Sequence, residues 1–93
     1  MKVIWKYPLE IIDVQKVYMQ EGSEILSVQA QHGKLCLWAI CNSHLPDGVA
    51  RVIEIIGTGN PVAENDELTR TYIGTAQMSG GALVWHVFER TSA

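Results

Sequence analysis

The sequence predicts an all-β, mainly antiparallel fold of about seven short strands, closed as a small sandwich or barrel. Three observations lead there. Apolar residues alternate with a period of two rather than 3.6 along most of the chain. Glycine-containing turns separate the alternating runs. The runs are short, and 93 residues leave room for one core, so residues 1–93 read as a single domain.

The elements follow in order. Lys2 to Tyr7 alternates Val3, Trp5 and Tyr7 against Lys2, Ile4 and Lys6, with Pro8 expected to end the strand. Asp13 to Met19 is rich in β-branched and aromatic residues and reads as a second strand. Gln20 to Ser23 forms a turn. Glu24–Gln31 and Lys34–Cys41 flank His32-Gly33, an X-Gly dipeptide between alternating runs and hence a β-hairpin signal. Asn42 to Gly48 is a loop. Arg51 to Ile56 is the fifth strand, closed by Gly57-Thr58-Gly59-Asn60-Pro61. Residues 61–69 are ambiguous: Asn60 suits an N-cap with Pro61 at the first position of a short helix, and a polar connection fits as well. Arg70 to Met78, Ser79-Gly80-Gly81 and Ala82 to Glu89 complete the chain as strand, turn and strand.

Composition narrows the function classes. Apolar residues make up 47% and charged residues 18%, which excludes a disordered chain. The net charge of -3 and a pI near 5.5 provide no basic surplus for a nucleic-acid polymer. No apolar run reaches the roughly 20 residues of a membrane span. The N-terminal apolar stretch is too short for a signal peptide. Cys36 and Cys41 stand an odd number of residues apart in one strand, so they face opposite ways and cannot pair with each other. So few cysteines in a small domain favour a reducing, cytoplasmic setting.

Some strands are apolar on both faces. Leu35, Leu37, Ala39 and Cys41 oppose Cys36, Trp38 and Ile40, and Leu83, Trp85 and Val87 oppose Val84, His86 and Phe88. One small domain cannot bury both faces by itself, so a second copy or a ligand cavity is expected against them. A homo-oligomer follows as the expected state.

Candidate site residues cluster around the glycine loop. Gly57, Thr58, Gly59 and Asn60 can expose successive backbone amides to an anion, and they equally suit a tight strand exit. The loop lacks the third glycine of a dinucleotide fingerprint and the lysine of a phosphate-binding P-loop. Arg51 and Arg70 begin apolar strands and could clamp a phosphate, or sit as solvated strand ends. Trp38, Trp85 and Tyr72 supply flat surfaces for a purine, with packing as the alternative. His86 joins them as a polar group among apolar neighbours, more simply a hydrogen-bonded core histidine. Cys41-x-x-His44-x-x-Asp47 is too sparse for a metal centre. No catalytic constellation, metal site or cofactor motif is identifiable, and a small hydrolase has no positive support.

Four blocks carry a family resemblance: IWKYPLE, EILSVQAQHGKLCLWA, IIGTGNP, and YIGTAQ with LVWHVFE. Together they resemble a family of small single-domain proteins of unknown function found in bacteriophages and bacteria. The resemblance extends to Glu89 and brings no catalytic residues with it. It implies a short phage or prophage gene acting in the host cytoplasm. Small oligomeric phage proteins of this size include sponges, which bind nucleotide-derived immune signals of the host. By that analogy the expected function is non-enzymatic sequestration of a small anionic, nucleotide-like ligand at an oligomer interface. The alternative is an oligomeric protein-binding or structural module with no small-molecule ligand.

Overall fold

The computed structural model of the chain describes residues 1–65 and 67–92. Seven strands appear: β1 (Lys2–Leu9), β2 (Val14–Met19), β3 (Glu24–Gln31), β4 (Lys34–Asn42), β5 (Val49–Gly57), β6 (Leu68–Met78) and β7 (Leu83–Ser92). They form two antiparallel sheets. Sheet A has the order β1-β4-β3 and sheet B the order β2-β5-β7-β6. Among the described residues the only helical element is a 3-10 turn at Ser79–Gly81, and no helix is long and apolar enough to cross a membrane.

The β3–β4 hairpin turns at His32-Gly33, where both residues take positive φ (51° and 75°). That pair of angles matches the right-handed twist of the flanking strands, which is why X-Gly is favoured there. Pro8 does not end β1; it pairs with Cys36 inside the strand. An edge strand tolerates a missing N–H that a central strand would not. Strands β5, β6 and β7 each run beyond the alternating segment of the sequence, because cross-strand partners hold the extra residues: Met19 holds Val49 and Ser92 holds Leu68.

The short helix considered for 61–69 is not formed. Residues 61–65 have no helical turn, Leu68 already belongs to β6, and Asp66 lies outside the described residues. The N–H of Asn60 is bonded to Gly57 O at 3.0 Å, closing a turn rather than opening a helix. The segment is instead a strap. In sheet B, β7 lies between β5 and β6, so the connection from β5 to β6 must cross β7, and it does so over the outer face.

The core lies between the sheets. Leu9, Leu35, Leu37, Ala39 and Val28 come from sheet A, and Met19, Ile53, Ile55, Ala76 and Val87 from sheet B. Leu37, Met19, Ile53 and Val87 have no exposed surface. Cys36 and Cys41 are both free, buried thiols. Sheet A meets sheet B most closely where Gly74 of β6 faces Val28 of β3: a Cβ at Gly74 would lie 3.0 Å from Val28 Cγ1. The β6 bulge at Ile73, between the pairs Tyr72–Phe88 and Gly74–Val87, bends the strand into this seam.

Part of the second apolar face is covered by the chain itself. Lys6 of β1 reaches across β4 to donate to Gln31 Oε1 of β3 at 2.9 Å, and Cys36 on that face is buried. The strap does the same for Ile56 on sheet B. Trp38 and Ile40 remain half-buried.

Truncating Leu37 in the central strand of sheet A is expected to cost about 2–5 kcal/mol, as a cavity the packed neighbours cannot fill. Gly74→Val is expected to cost about 1–3 kcal/mol by forcing the seam apart. Urea unfolding of both variants measures these losses, with Gly48→Ala, which meets nothing within 4 Å, as the neutral control.

Candidate functional site

Glu54 sits in the middle of β5, on the outer face of sheet B, and is only 5% exposed. A carboxylate buried alone would be driven to protonate. Here two arginines meet it. Arg70 of β6 reaches across β7, its Nε donating to Oε1 and its Nη2 to Oε2 at 3.4 Å. Arg90 of β7 donates to Oε2 through Nη2 at 2.6 Å. Burial pushes the Glu54 carboxyl up, but the hydrogen bonds and charges of Arg70 and Arg90 outweigh it and hold the group below its usual value of 4.5. Arg70 also donates from Nη2 to Ala63 O at 2.8 Å, which pins the strap to the same cluster.

Beneath the strap lies a cleft of about 460 Å³, within the size range of small-ligand sites. Its walls include Asp13 at the start of β2, Glu54 and Ile56 of β5, Asn60 and Pro61 of the strap, and Arg90. A neighbouring recess of about 200 Å³ shares Asp13, Ile55 and Asn60 with it and extends to Ile11, Ile12 and Trp85. Among the described residues, two enclosed side-chain nitrogens have no hydrogen-bond partner: Arg90 Nε and Trp85 Nε1. One belongs to each hollow. An enclosed donor without an acceptor costs about 1–3 kcal/mol.

The glycine loop forms the mouth of this cleft but is not an open anion nest. The Thr58 amide donates to Val84 O at 3.2 Å and the Asn60 amide to Gly57 O at 3.0 Å. Gly59 takes φ 89° at the third position of that turn, in the pattern of type II. Gly57 is needed for a different reason. A Cβ there would stand 3.0 Å from Trp85 Cζ3 and 2.9 Å from Asn60 Nδ2, so the indole packs directly on bare backbone.

The other residues singled out from the sequence are distributed over both sheets. Thr58, His86 and Tyr72 come together in a polar row with Thr75. Thr58 Oγ1 lies 2.7 Å from His86 Nε2, Thr75 Oγ1 lies 3.0 Å from His86 Nδ1, and the Tyr72 hydroxyl lies 2.5 Å from Thr75 Oγ1. Both ring nitrogens of His86 are thus engaged by hydroxyls. Tyr72 is 57% exposed and tilts against Phe88, with ring centroids 5.5 Å apart. Arg51 is elsewhere. It faces the interior, where Nε and Nη2 grip both oxygens of Glu89 and Nη1 donates to Ser23 O at 2.8 Å. That bidentate pair ties β5 and β7 to the start of β3 and raises the Arg51 pKa through the Glu89 hydrogen bond. Trp38 lies on the outer face of sheet A, far from the strap in topology.

Asp13 and Glu54 were not among the residues the sequence singled out. One signal was present for Glu54: a lone acid at the centre of RVIEII, on the face opposite Ile53 and Ile55. An acid inside such a strand requires cationic partners on its own face, and Arg70 and Arg90 lie near the start of β6 and the end of β7.

The chain belongs to a family described as a domain of unknown function (DUF7352), whose model matches residues 1–93. No curated protein and no solved structure matches it.

Because the Glu54 pKa is depressed on folding, its stabilisation is fully present above pH 4.5 and is lost as pH falls through the lower folded value. Glu54→Gln is expected to lose about 1–3 kcal/mol at pH 7, where it leaves two guanidiniums without their shared acceptor. It is also expected to show a shallower fall in stability below pH 4.5 than the parent chain. Denaturant unfolding at several pH values measures both effects.

Proposed function

We propose that this protein is a non-enzymatic binding protein that sequesters a small anionic, nucleotide-derived ligand beneath the strap. The observation that carries the reading is the pair of hollows sharing Asp13 and Asn60, with Arg90 in the wall of one and Trp85 in the wall of the other. A phosphate oxygen suits the guanidinium of Arg90. Asp13 accepts from a sugar hydroxyl or base amine, and Asn60 both donates and accepts. Pro61, Ile11 and Ile12 supply apolar wall for a base. The mixed charge of the cleft fits such a ligand better than a simple anion, because a nucleotide brings donors as well as phosphate.

Sequestration needs enclosure rather than turnover. Binding energy comes from burying the ligand, and the Arg70–Ala63 hydrogen bond holds the strap at the cleft. In a short phage or prophage protein acting in the host cytoplasm, depleting a nucleotide-derived immune signal is the role this chemistry serves. The expectation from sequence put the ligand between copies; the cleft lies within one chain, so each copy of a homo-oligomer would carry its own site. A second reading, a protein-docking module without a small ligand, draws on the exposed Ile4 and the half-buried Trp38 and Ile40 of sheet A.

Incubation with cyclic dinucleotides and ADP-ribose-type signals, followed by assay of free signal before and after heat denaturation, tests the proposal. Signal that disappears and returns intact on heating supports sequestration. Permanent loss indicates an enzyme, and signal that stays free throughout favours the docking module. Asn60→Ala and Asp13→Ala are each expected to weaken binding by about 1–2 kcal/mol with folding intact. Arg51→Ala is expected to lower stability and leave affinity unchanged, since its donors already hold Glu89 and Ser23.

A further inference from the structure

Two recesses flank β3, and among the described residues no charged side chain lines either of them. One, of about 310 Å³, has Ser27, Gln29, Gln31 and Trp38 in its wall. The other, of about 340 Å³, lies where β3 meets β6 and is walled by Gln29, Thr75 and Gln77 with small apolar neighbours. The two share Gln29 and Ala30, so they adjoin across one strand. The strap cleft, by contrast, includes Asp13, Glu54 and Arg90 and has no wall residue in common with either.

A bulge in β3 arranges the row. Ile25 stands opposite Ala39, but the next pair is Ser27 with Trp38, followed by Gln29 with Cys36 and Gln31 with Lys34. The extra residue, Leu26, reverses the alternation. Val28 therefore enters the core, and Ser27, Gln29 and Gln31 share the face of Trp38. A hydroxyl and two amides follow one another at intervals of roughly 6.6 Å beside one indole. Lys6 Nζ donates to Gln31 Oε1 at 2.9 Å, which fixes that amide and leaves its NH2 group to donate. Thr75 Oγ1 is held by His86 Nδ1 at 3.0 Å and the Tyr72 hydroxyl at 2.5 Å. It keeps one of a hydroxyl's three hydrogen-bonding positions.

We propose that these adjoining recesses bind a neutral oligosaccharide, with one ring stacked on Trp38 and a neighbouring ring beside Thr75 and Gln77. A sugar ring needs apolar cover for its C–H face and partners for hydroxyls that both donate and accept. The indole supplies the first. The glutamines supply the second, since each amide carries two donors and a carbonyl acceptor, and Ser27 and Thr75 do both through one oxygen. The uncharged walls set the class. A nucleotide or an acidic sugar brings a negative group that calls for a cation. None lines either recess: Lys6 is engaged by Gln31, and Lys34 stands at the hairpin end outside the wall. A purely apolar ligand leaves the amides without partners. Two recesses joined at Gln29, each near the lower size limit of small-ligand sites, suit linked rings better than a single one.

Titration of nitrogen-labelled protein with maltotriose, cellotriose and triacetylchitotriose, followed by heteronuclear NMR, tests the proposal. At millimolar concentration at least one of the three is expected to shift the Trp38 indole N–H and the Gln29 and Gln77 side-chain amides. Gln29→Ala and Gln77→Ala each raise the Kd roughly three- to tenfold. Both positions are exposed, so these variants keep the fold even where Trp38→Ala does not. Asn60→Ala, in the strap cleft, leaves sugar binding unchanged, and failure of either site says nothing of the other. Adenosine and uridine, titrated in parallel, leave the same resonances in place. Three sugars that move none of them overturn the proposal. Sugar binding that survives Gln29→Ala and Gln77→Ala undiminished overturns it by placing the contact elsewhere. Nucleosides that shift the Trp38 indole where sugars do not overturn the assigned class and make this a base-stacking site.

Discussion

Glu54 carries its charge into a place where a carboxylate by itself would not stay ionised, and the guanidiniums of Arg70 and Arg90 are what make the placement tolerable. The three residues come from β5, β6 and β7, so one acid cross-links three strands of sheet B on the face turned away from the core. Arg70 then passes the constraint on to the strap through the Ala63 carbonyl. The position of the strap, and with it the shape of the cleft, depends on this cluster. A polar network is specific in a way apolar contact is not, because every donor has a fixed direction. That specificity places a connection with little apolar surface of its own on one path across β7.

The interior has a counterpart to this arrangement. Arg51 and Glu89 form a bidentate pair inside the sandwich, beside the turn that joins β2 to β3. Neighbouring arginine positions along the chain therefore serve opposite faces of one sheet. The alternation of β5 sends Arg51 in and Glu54 out, since an odd separation in a strand reverses direction. Each arginine follows the acid on its own side. With both faces of sheet B organised by ion pairs, the apolar residues of β5 and β7 need less cover than their number suggests. Among the described residues the outer face of sheet A holds no ion pair, only the reach of Lys6 to Gln31 across Cys36, and leaves Ile4 exposed.

Much of the site was hidden in the sequence for a definite reason. The glycine loop, Arg70, His86 and Tyr72 drew attention because their residue types are chemically conspicuous, and the structure sets all of them on the outer face of sheet B or at its rim. Arg51 looks the same in sequence and lies on the other face, held by an acid 38 positions away. Asp13 and Arg90 border the cleft only because β2 and β7 both flank β5, an adjacency set by strand order and not by local pattern. Gly57 was noticed as a flexible residue, yet what it provides is room for the Trp85 indole.

The sequence by itself determined the seven strands and the His32-Gly33 hairpin. These depend on side-chain alternation and on local backbone preference, which act over a few residues. Only the tertiary structure decided that the connection after Pro61 is a strap and not a helix, that Glu54 is shared by two arginines, and that a cleft exists beneath. Those features depend on which strand lies beside which, and strand order is settled by the burial of the whole chain at once.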